Sequence, residues 1–143
     1  MSRISKKMRQ QVLDRANGLC EYCQTSEELV LTIEIDHIIP IEAGGKNELG
    51  NLCVACDSCN SRKLDFQTGV DPETDQEVPL FNPRLQNWSE HFQWNEDGTI
   101  MVGLTTTGRA TIHRLGCNRE AVVRLRRRWV SVGWHPPKQF PLE

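Results

Sequence analysis

Four of the six cysteines in this 143-residue chain fall into two Cys-x-x-Cys pairs, Cys20 with Cys23 and Cys56 with Cys59. Each pair can present two sulfur atoms from one tight turn, and two such turns complete a tetrahedral site. Four thiolates leave no open coordination position, so the spacing predicts a structural Zn²⁺ site. The alternative is two disulfides or a redox pair. The N-terminal residues include no apolar signal region, which argues against an oxidising compartment and favours a cytoplasmic location.

Two further cysteines lie outside these pairs. Cys53 stands three residues before Cys56, so spacing alone would allow these two residues to chelate together. We favour Cys56 with Cys59, because Cys53 falls inside a predicted strand rather than in a turn. Cys53 and Cys117 are then expected to be buried small hydrophobic residues.

A second group of polar residues lies among the cysteine pairs: Asp36, His37, Asn51 and Asn60. Asp36 and His37 belong to an Ile-rich stretch, residues 33–38, that predicts a buried strand ended by Pro40. Neighbours on a regular strand point to opposite faces. If both side chains serve one phosphate, the strand must therefore end or bulge at this dipeptide.

The residues after this strand predict a loop, a return strand and a helix. A glycine pair predicts the loop, and Asn51-Leu-Cys-Val-Ala predicts the return strand. Asp57 or Ser58 can cap the helix, which begins inside the second cysteine pair. On that helix Asn60 and Lys63 lie three residues apart and therefore share a face. Such a unit presents a few polar groups around a phosphate-sized gap.

The order Asp-His, a later Asn and then Cys-x-x-Cys-Asn-x-x-Lys, over residues 15–65, resembles the HNH endonuclease family. That family has a ββα-metal fold supported by zinc knuckles. The resemblance implies that His37 is the general base that activates water. It also implies that Asp36 and Asn60 hold one divalent ion on the scissile phosphate, and that Asn51 braces the loop that orients His37. Asn60 stands where the family often has His, and an amide is a neutral, weaker ligand.

The oxygen-rich site suits Mg²⁺ or Mn²⁺, whereas the four thiolates suit Zn²⁺. The resemblance implies DNA as the substrate. We expect no membrane partner, because no apolar run approaches membrane length and a quarter of the residues are charged. The net charge of −2 hides an uneven distribution. Residues 66–97 contain seven acidic residues and one basic residue, whereas residues 98–143 contain eight basic and two acidic residues. The C-terminal third is therefore basic.

Residues 1–18 predict a helix, with Ser5 as its N-cap, an apolar stripe through Met8 and Val12, and Gly18 at its end. Residues 68–83 are polar and interrupted by prolines, so we expect them to form a solvated loop.

The C-terminal half carries further signals for regular structure. Residues 91–104 predict a β-hairpin that turns at Asp97-Gly98. Residues 107–116 and 118–132 predict two helices separated by a Gly-containing turn.

In the second of these helices, the predicted apolar stripe comprises Val122, Leu125, Trp129 and Val132. Arg124, Arg127 and Arg128 fall largely away from that stripe. A helix, a turn and a basic helix in this order have the outline of a helix-turn-helix motif. Clustered arginines are the residues that contact with DNA phosphates requires. The alternative is a solvated helix face. The candidate nucleic-acid-binding residues are Arg62, Lys63, Arg124, Arg127 and Arg128.

The predicted fold class is α+β: a ββα-metal (HNH) core with an N-terminal helix and a C-terminal β-hairpin plus two-helix extension. Residues 1–65 would form the nuclease core with its zinc knuckles, and residues 66–143 an extension packed on it in a single domain. The whole chain also resembles a group of small bacterial and cyanobacterial HNH endonucleases, through Leu-Phe-Asn-Pro-Arg, Trp-x-x-His-Phe-x-Trp, Gly-Arg-Ala-Thr-Ile and Gly-Trp-His-Pro-Pro. This resemblance implies that the extension belongs to the nuclease.

Two functions follow from these signals. The first is a metal-dependent endonuclease that hydrolyses phosphodiester bonds in DNA. The second is a non-catalytic, zinc-stabilised DNA-binding or assembly module on a decayed nuclease scaffold, suggested by the basic helix and by Asn60. The sequence leaves the form of the substrate, the cleavage specificity, the oligomeric state and the pathway open.

Overall fold

The structure is a computed structural model that describes residues 4–30 and 32–138. Within those residues the chain forms five α-helices and six short strands, which confirms the predicted α+β class. In chain order they are α1 (Lys6–Arg15), β1 (Ile33–His37), β2 (Leu52–Cys56), α2 (Asp57–Lys63), β3 (Thr68–Val70), β4 (Glu77–Pro79), α3 (Trp88–His91), β5 (Phe92–Trp94), β6 (Met101–Gly103), α4 (Thr106–Leu115) and α5 (Glu120–Ser131). None of these helices is long and apolar enough to cross a membrane.

Strands β1 and β2 form an antiparallel pair, and α2 follows β2 without a connecting loop. Every residue of β2 is buried, as its apolar sequence requires. Helix α2 is capped by Cys56, whose Sγ accepts a hydrogen bond from the backbone N–H of Cys59 at 3.4 Å, rather than by Asp57 or Ser58. The predicted strand, loop, strand and helix are therefore present, and the second cysteine pair forms the corner between β2 and α2.

Helix α1 is shorter than predicted. Ser5 is its N-cap, as expected, and its hydroxyl accepts a hydrogen bond from the N–H of Met8 at 3.1 Å. Val12 is fully buried and packs in a small core cluster with Leu52 and Val54 of β2. The first three residues of the predicted helix lie outside the described residues. The helix ends before Gly18, because the chain already turns at Asn17, whose φ of 59° is left-handed.

The polar segment after the core is a β-hairpin, so the prediction of a solvated loop over residues 68–83 was wrong. Strands β3 and β4 pair in antiparallel fashion, and Asp71 lies in the connection between them. The Asp71 side chain is fully buried and accepts two hydrogen bonds from the guanidinium of Arg109 on α4, at 3.0 and 2.9 Å. This ion pair joins residues distant in sequence, and local polarity gives no sign of it.

The second predicted hairpin and the two C-terminal helices are confirmed. Strands β5 and β6 pair through a turn at Gly98, whose φ is +77°. Helices α4 and α5 are separated at Gly116, which caps α4 in the left-handed conformation.

Aromatic residues of the extension pack against the first cysteine pair. The indole of Trp88 donates a hydrogen bond to the backbone oxygen of Tyr22 at 2.9 Å, and that of Trp94 donates to Gln24 at 2.8 Å. Phe81 and Phe92 lie in the same core cluster as the cysteines of both pairs. The apolar core is therefore continuous between the segment that carries the cysteine pairs and the C-terminal half.

The buried face of α5 differs from the predicted stripe. Leu125 and Val132 are 48% and 56% exposed, whereas Val123 and Arg126 are buried. The helix is rotated relative to the prediction because the Arg126 guanidinium lies inside the protein, where it donates a hydrogen bond to the backbone oxygen of Thr99 at 3.0 Å. Apolar periodicity cannot predict a buried arginine.

Candidate active site

The four cysteines of the two pairs converge in the structure. The Sγ atoms of Cys20, Cys23, Cys56 and Cys59 all lie within 4.8 Å of one another, and all four residues are buried. The backbone N–H of Cys23 donates to the Sγ of Cys20 at 3.5 Å, as that of Cys59 does to Cys56. The six cysteines, all among the described residues, form no disulfide. Four buried sulfur atoms without an open position are compatible with a structural Zn²⁺ ion.

The thiols of the cluster differ in how easily they ionise. Burial raises the pKa of the Cys20 thiol well above its usual range. Hydrogen bonds from the other three thiols lower the pKa of Cys23 well below its usual range. Metal ions bind cysteine as the thiolate, so metal binding at this cluster is coupled to the release of thiol protons.

Cys53 and Cys117 are both buried, as expected. Cys53 lies outside the four-sulfur cluster, and its thiol donates a hydrogen bond to the Tyr22 hydroxyl at 3.4 Å. Burial raises the pKa of the Cys53 thiol far above its usual range, so the thiol stays neutral.

A surface cleft of about 420 Å³ opens where β1 and α2 end. Polar side chains line it on several sides: Asp36, His37, Glu42, Asn47, Asn60 and Asp65. The cleft thus brings together three of the four predicted catalytic residues. The fourth, Asn51, is buried behind it.

Asp36 presents its two carboxylate oxygens to different environments. Oδ2 accepts a hydrogen bond from the Tyr22 hydroxyl and lies next to the ammonium group of Lys63, both at 3.1 Å. Oδ1 has no hydrogen-bond partner in the described part of the chain, although the residue is only 7% exposed and lines the cleft. One oxygen is therefore held by the protein, and the other remains available as a ligand.

His37 is held by a residue that the sequence did not single out. Its Nε2 lies 2.5 Å from Oδ1 of Asn47, which can only accept a hydrogen bond. Nε2 is therefore the donor of this hydrogen bond, in which Nδ1 takes no part. Strand β1 includes both Asp36 and His37 in regular register and ends directly after His37. The strand therefore ends at the dipeptide, which is one of the two arrangements that a shared site requires.

Asn51 organises the chain that leaves β1. Its Oδ1 accepts from the N–H of Ile39 at 2.8 Å, and its Nδ2 donates to the backbone oxygens of Ile39 and Lys46, both at 3.0 Å. A Cβ atom at Gly45 would lie 1.8 Å from the Ile39 oxygen, so only glycine fits there. The amide group thereby ties together both ends of the loop between His37 and Asn47.

The comparison with known protein families covers this same segment. Residues 20–66 match the model of the HNH endonuclease family. The match includes both cysteine pairs and the four predicted catalytic residues, and it ends where the C-terminal extension begins. No curated protein and no solved structure is significantly similar to the chain. The resemblance of the whole chain to small bacterial and cyanobacterial HNH endonucleases therefore has no support from these comparisons.

Two residues of the segment that matches the HNH model (residues 20–66, called the HNH segment below) depart from the sequence analysis. We expected Lys63 to contact nucleic acid, but its side chain is only 2% exposed. Besides Asp36, its ammonium group also approaches the backbone oxygen of His37, at 3.4 Å. A lysine this deeply buried cannot contact nucleic acid, and it instead pairs with Asp36 inside the protein. Tyr22 was not predicted either, and the only sequence signal is its position between the first two cysteines.

The predicted basic residues outside the cleft are exposed. Arg62 lies on α2, and Arg124, Arg127 and Arg128 lie on α5. None of these four side chains lines the cleft of the HNH segment. Arg124 approaches Glu120 one turn earlier at 3.8 Å, which is typical of a weak surface pair.

Proposed function

We propose that this protein is a metal-dependent endonuclease that hydrolyses phosphodiester bonds in DNA. One observation carries the proposal: Asp36, His37 and Asn60 line a single cleft within the segment that matches the HNH endonuclease family. A carboxylate, an amide and an imidazole are the groups that such hydrolysis needs as metal ligands and as a general base.

His37 acts as the general base in this proposal. Its Nδ1 accepts a proton from the attacking water, because Nε2 is engaged with Asn47. After the transfer, the Asn47 oxygen remains hydrogen-bonded to the imidazolium and keeps the ring in place. Asn51 acts as a positioning residue, since it fixes the loop that carries Asn47 relative to the end of β1.

Asp36 and Asn60 are the proposed ligands of the catalytic ion. The free Oδ1 of Asp36 and the amide oxygen of Asn60 are hard donors, which suit Mg²⁺ or Mn²⁺. A bound ion would neutralise the charge that develops on the phosphate and on the leaving oxygen. Lys63 adds a fixed positive charge beside Asp36, and it holds that carboxylate in one orientation before any ion binds.

We further propose that residues 1–65 and 66–143 act as one domain, with the exposed arginines of α5 contacting the DNA backbone. The support is the continuous core, in which residues of the extension and both cysteine pairs pack together. In this arrangement Zn²⁺ at the four cysteines sets the position of α2, and therefore of Asn60, without touching the substrate.

A second function has one observation in its favour. The Lys63 ammonium already compensates the buried carboxylate of Asp36, so the site is electrostatically satisfied without a divalent ion. A zinc-stabilised DNA-binding or assembly module that has lost catalysis would show the same pair.

Incubation of the purified protein with supercoiled plasmid separates the two functions. The nuclease proposal predicts nicking or cleavage that requires Mg²⁺ or Mn²⁺ and stops with a chelator. His37→Ala should abolish cleavage while leaving the thermal unfolding midpoint in place. His113→Ala serves as the matched control, because His113 is an exposed histidine of α4 that does not line the cleft. Salt-sensitive DNA binding without cleavage under any metal condition would refute the nuclease and favour the binding module.

A further inference from the structure

Arg126 of α5 is a fully buried arginine without a carboxylate partner. Its side chain is 0% exposed, and no Asp or Glu in residues 4–30 or 32–138 lies within 4.0 Å of its guanidinium. Nη1 donates hydrogen bonds to the Thr99 backbone oxygen at 3.0 Å and to Asn118 Oδ1 at 3.2 Å. Nε and Nη2 are buried with no hydrogen-bond partner in that part of the chain. A permanent charge in this state is costly unless an opposite charge lies nearby.

Three of the four cysteines of the cluster share a cavity with Arg126. Arg126 lines a small, largely apolar cavity of about 80 Å³ together with Cys23, Cys56 and Cys59. Trp129 of the same helix forms another part of its wall. Charges that share so small and apolar a space interact strongly, because little water is present to screen them.

The other groups around Arg126 bring no negative charge. The indole of Trp94 lies 5.0 Å from its Cζ, and the ring of His135 packs edge-on against Trp94. Burial, together with the nearby charge of Arg126, lowers the pKa of His135 to about 4, so this imidazole is neutral at physiological pH. No carboxylate of the described residues lies within 4.0 Å of the guanidinium, whereas three of the four cluster cysteines line the same cavity as Arg126.

We infer that Arg126 supplies the counter-charge of the zinc centre and thereby raises its affinity for Zn²⁺. Four thiolates around one Zn²⁺ carry a net charge of −2, which is unfavourable in an apolar interior. The guanidinium removes half of that excess. This inference goes beyond the proposed nuclease function, because it assigns the C-terminal extension a part in the metal centre of the HNH segment.

Zinc affinity measured by competition with a chromophoric chelator tests this inference on the full-length chain. Arg126→Gln removes the charge and keeps a polar side chain, and it should weaken zinc binding by about 10- to 100-fold, the range found when outer partners of metal ligands are removed. Arg126→Lys keeps the charge and should stay within about threefold of the unmodified protein. Arg128→Met is the matched control, because Arg128 is an exposed arginine of the same helix, and it should bind zinc normally.

A second experiment distinguishes an electrostatic role of Arg126 from a purely structural one. It reduces the negative charge of the zinc centre and measures the effect of Arg126→Gln again. In a Cys20→His background the centre carries −1, so Arg126→Gln should cost clearly less affinity than it does beside four cysteines. An equal loss in both backgrounds would overturn the inference, as would normal zinc binding by Arg126→Gln. If Arg126→Gln does not fold in excess zinc, Arg126→Lys decides, and a tenfold loss in that variant also overturns the inference. A protein that binds no zinc refutes this inference, whereas the nuclease proposal is tested separately by the metal dependence of plasmid cleavage.

Discussion

Replacement of Lys63 by methionine tests the buried polar network behind the proposed catalytic cleft. Lys63 is 2% exposed, Asp36 is 7% exposed, and the ammonium lies 3.1 Å from Oδ2. Methionine fills most of the same volume but leaves the carboxylate without its counter-charge. The Tyr22 hydroxyl would then be the only remaining hydrogen-bond donor of a described side chain within 3.5 Å of Asp36 Oδ2.

The expected loss is large because the pair is buried. Removal of one partner of a buried ion pair costs about 3–5 kcal/mol, whereas exposed pairs are worth about 1 kcal/mol or less. Typical domains have only about 5–15 kcal/mol of stability in total. For a chain of 143 residues, each kcal/mol of lost unfolding free energy lowers the thermal midpoint by about 3 °C. Lys63→Met should therefore lower the midpoint of thermal unfolding by about 9–15 °C when no Mg²⁺ is present.

The assay is thermal unfolding with and without Mg²⁺, at a constant zinc concentration. If Asp36 is a ligand of the divalent ion, Mg²⁺ should restore part of the stability of Lys63→Met, by about 2.7 kcal/mol at a hundredfold excess over the dissociation constant. Asp36→Asn combined with Lys63→Met removes both charges and should be more stable than Lys63→Met alone. Lys7→Met, at an exposed lysine of α1, is the control.

Two results would refute this reasoning. A midpoint of Lys63→Met within about 2 °C of the unmodified protein would mean that the pair is solvated and weak. A double variant less stable than Lys63→Met would mean that Asp36 is not the group that Lys63 compensates.

Three further predictions concern other contacts of the structure. Tyr22→Phe removes a buried hydrogen bond to Asp36 and should cost about 1.5–3 kcal/mol in urea unfolding; an unchanged midpoint would contradict this. The hydrogen-bonded guanidinium of Arg109 lowers the pKa of Asp71, so the pair stabilises the fold fully above the unfolded-state pKa of about 4, and this stabilisation is lost as pH falls from there through the lower folded-state pKa. Asp71→Asn should therefore be less stable at pH 7 and lose less stability on acidification, and an acid-unfolding curve parallel to that of the unmodified protein would argue against the pair. Cys59→Ser should lose one equivalent of zinc by elemental analysis and nuclease activity with it; a zinc-free, folded and fully active variant would show that the thiols are incidental.

The parts of the fold that depend on a few neighbouring residues could be predicted from the sequence. Two sulfur atoms in one tight turn, an apolar strand and glycine at a left-handed turn are properties of a few neighbouring residues, so the ββα unit, the second hairpin and the break at Gly116 were predicted correctly. The convergence of the two cysteine pairs also followed, because a closed tetrahedral site needs four ligands. Pro40 predicted the end of a strand shortly after Asp36 and His37, and β1 ends at His37.

Only the tertiary structure decided which polar groups are buried and what they pair with. Lys63 and Arg126 resemble other basic residues in the sequence, yet Lys63 compensates Asp36 and Arg126 shares a cavity with three of the four cluster cysteines. The hairpin at Asp71 depends in the same way on an arginine 38 positions further along the chain. The cost of burying a charge depends on the groups that packing brings next to it, and no periodicity along the chain carries that information.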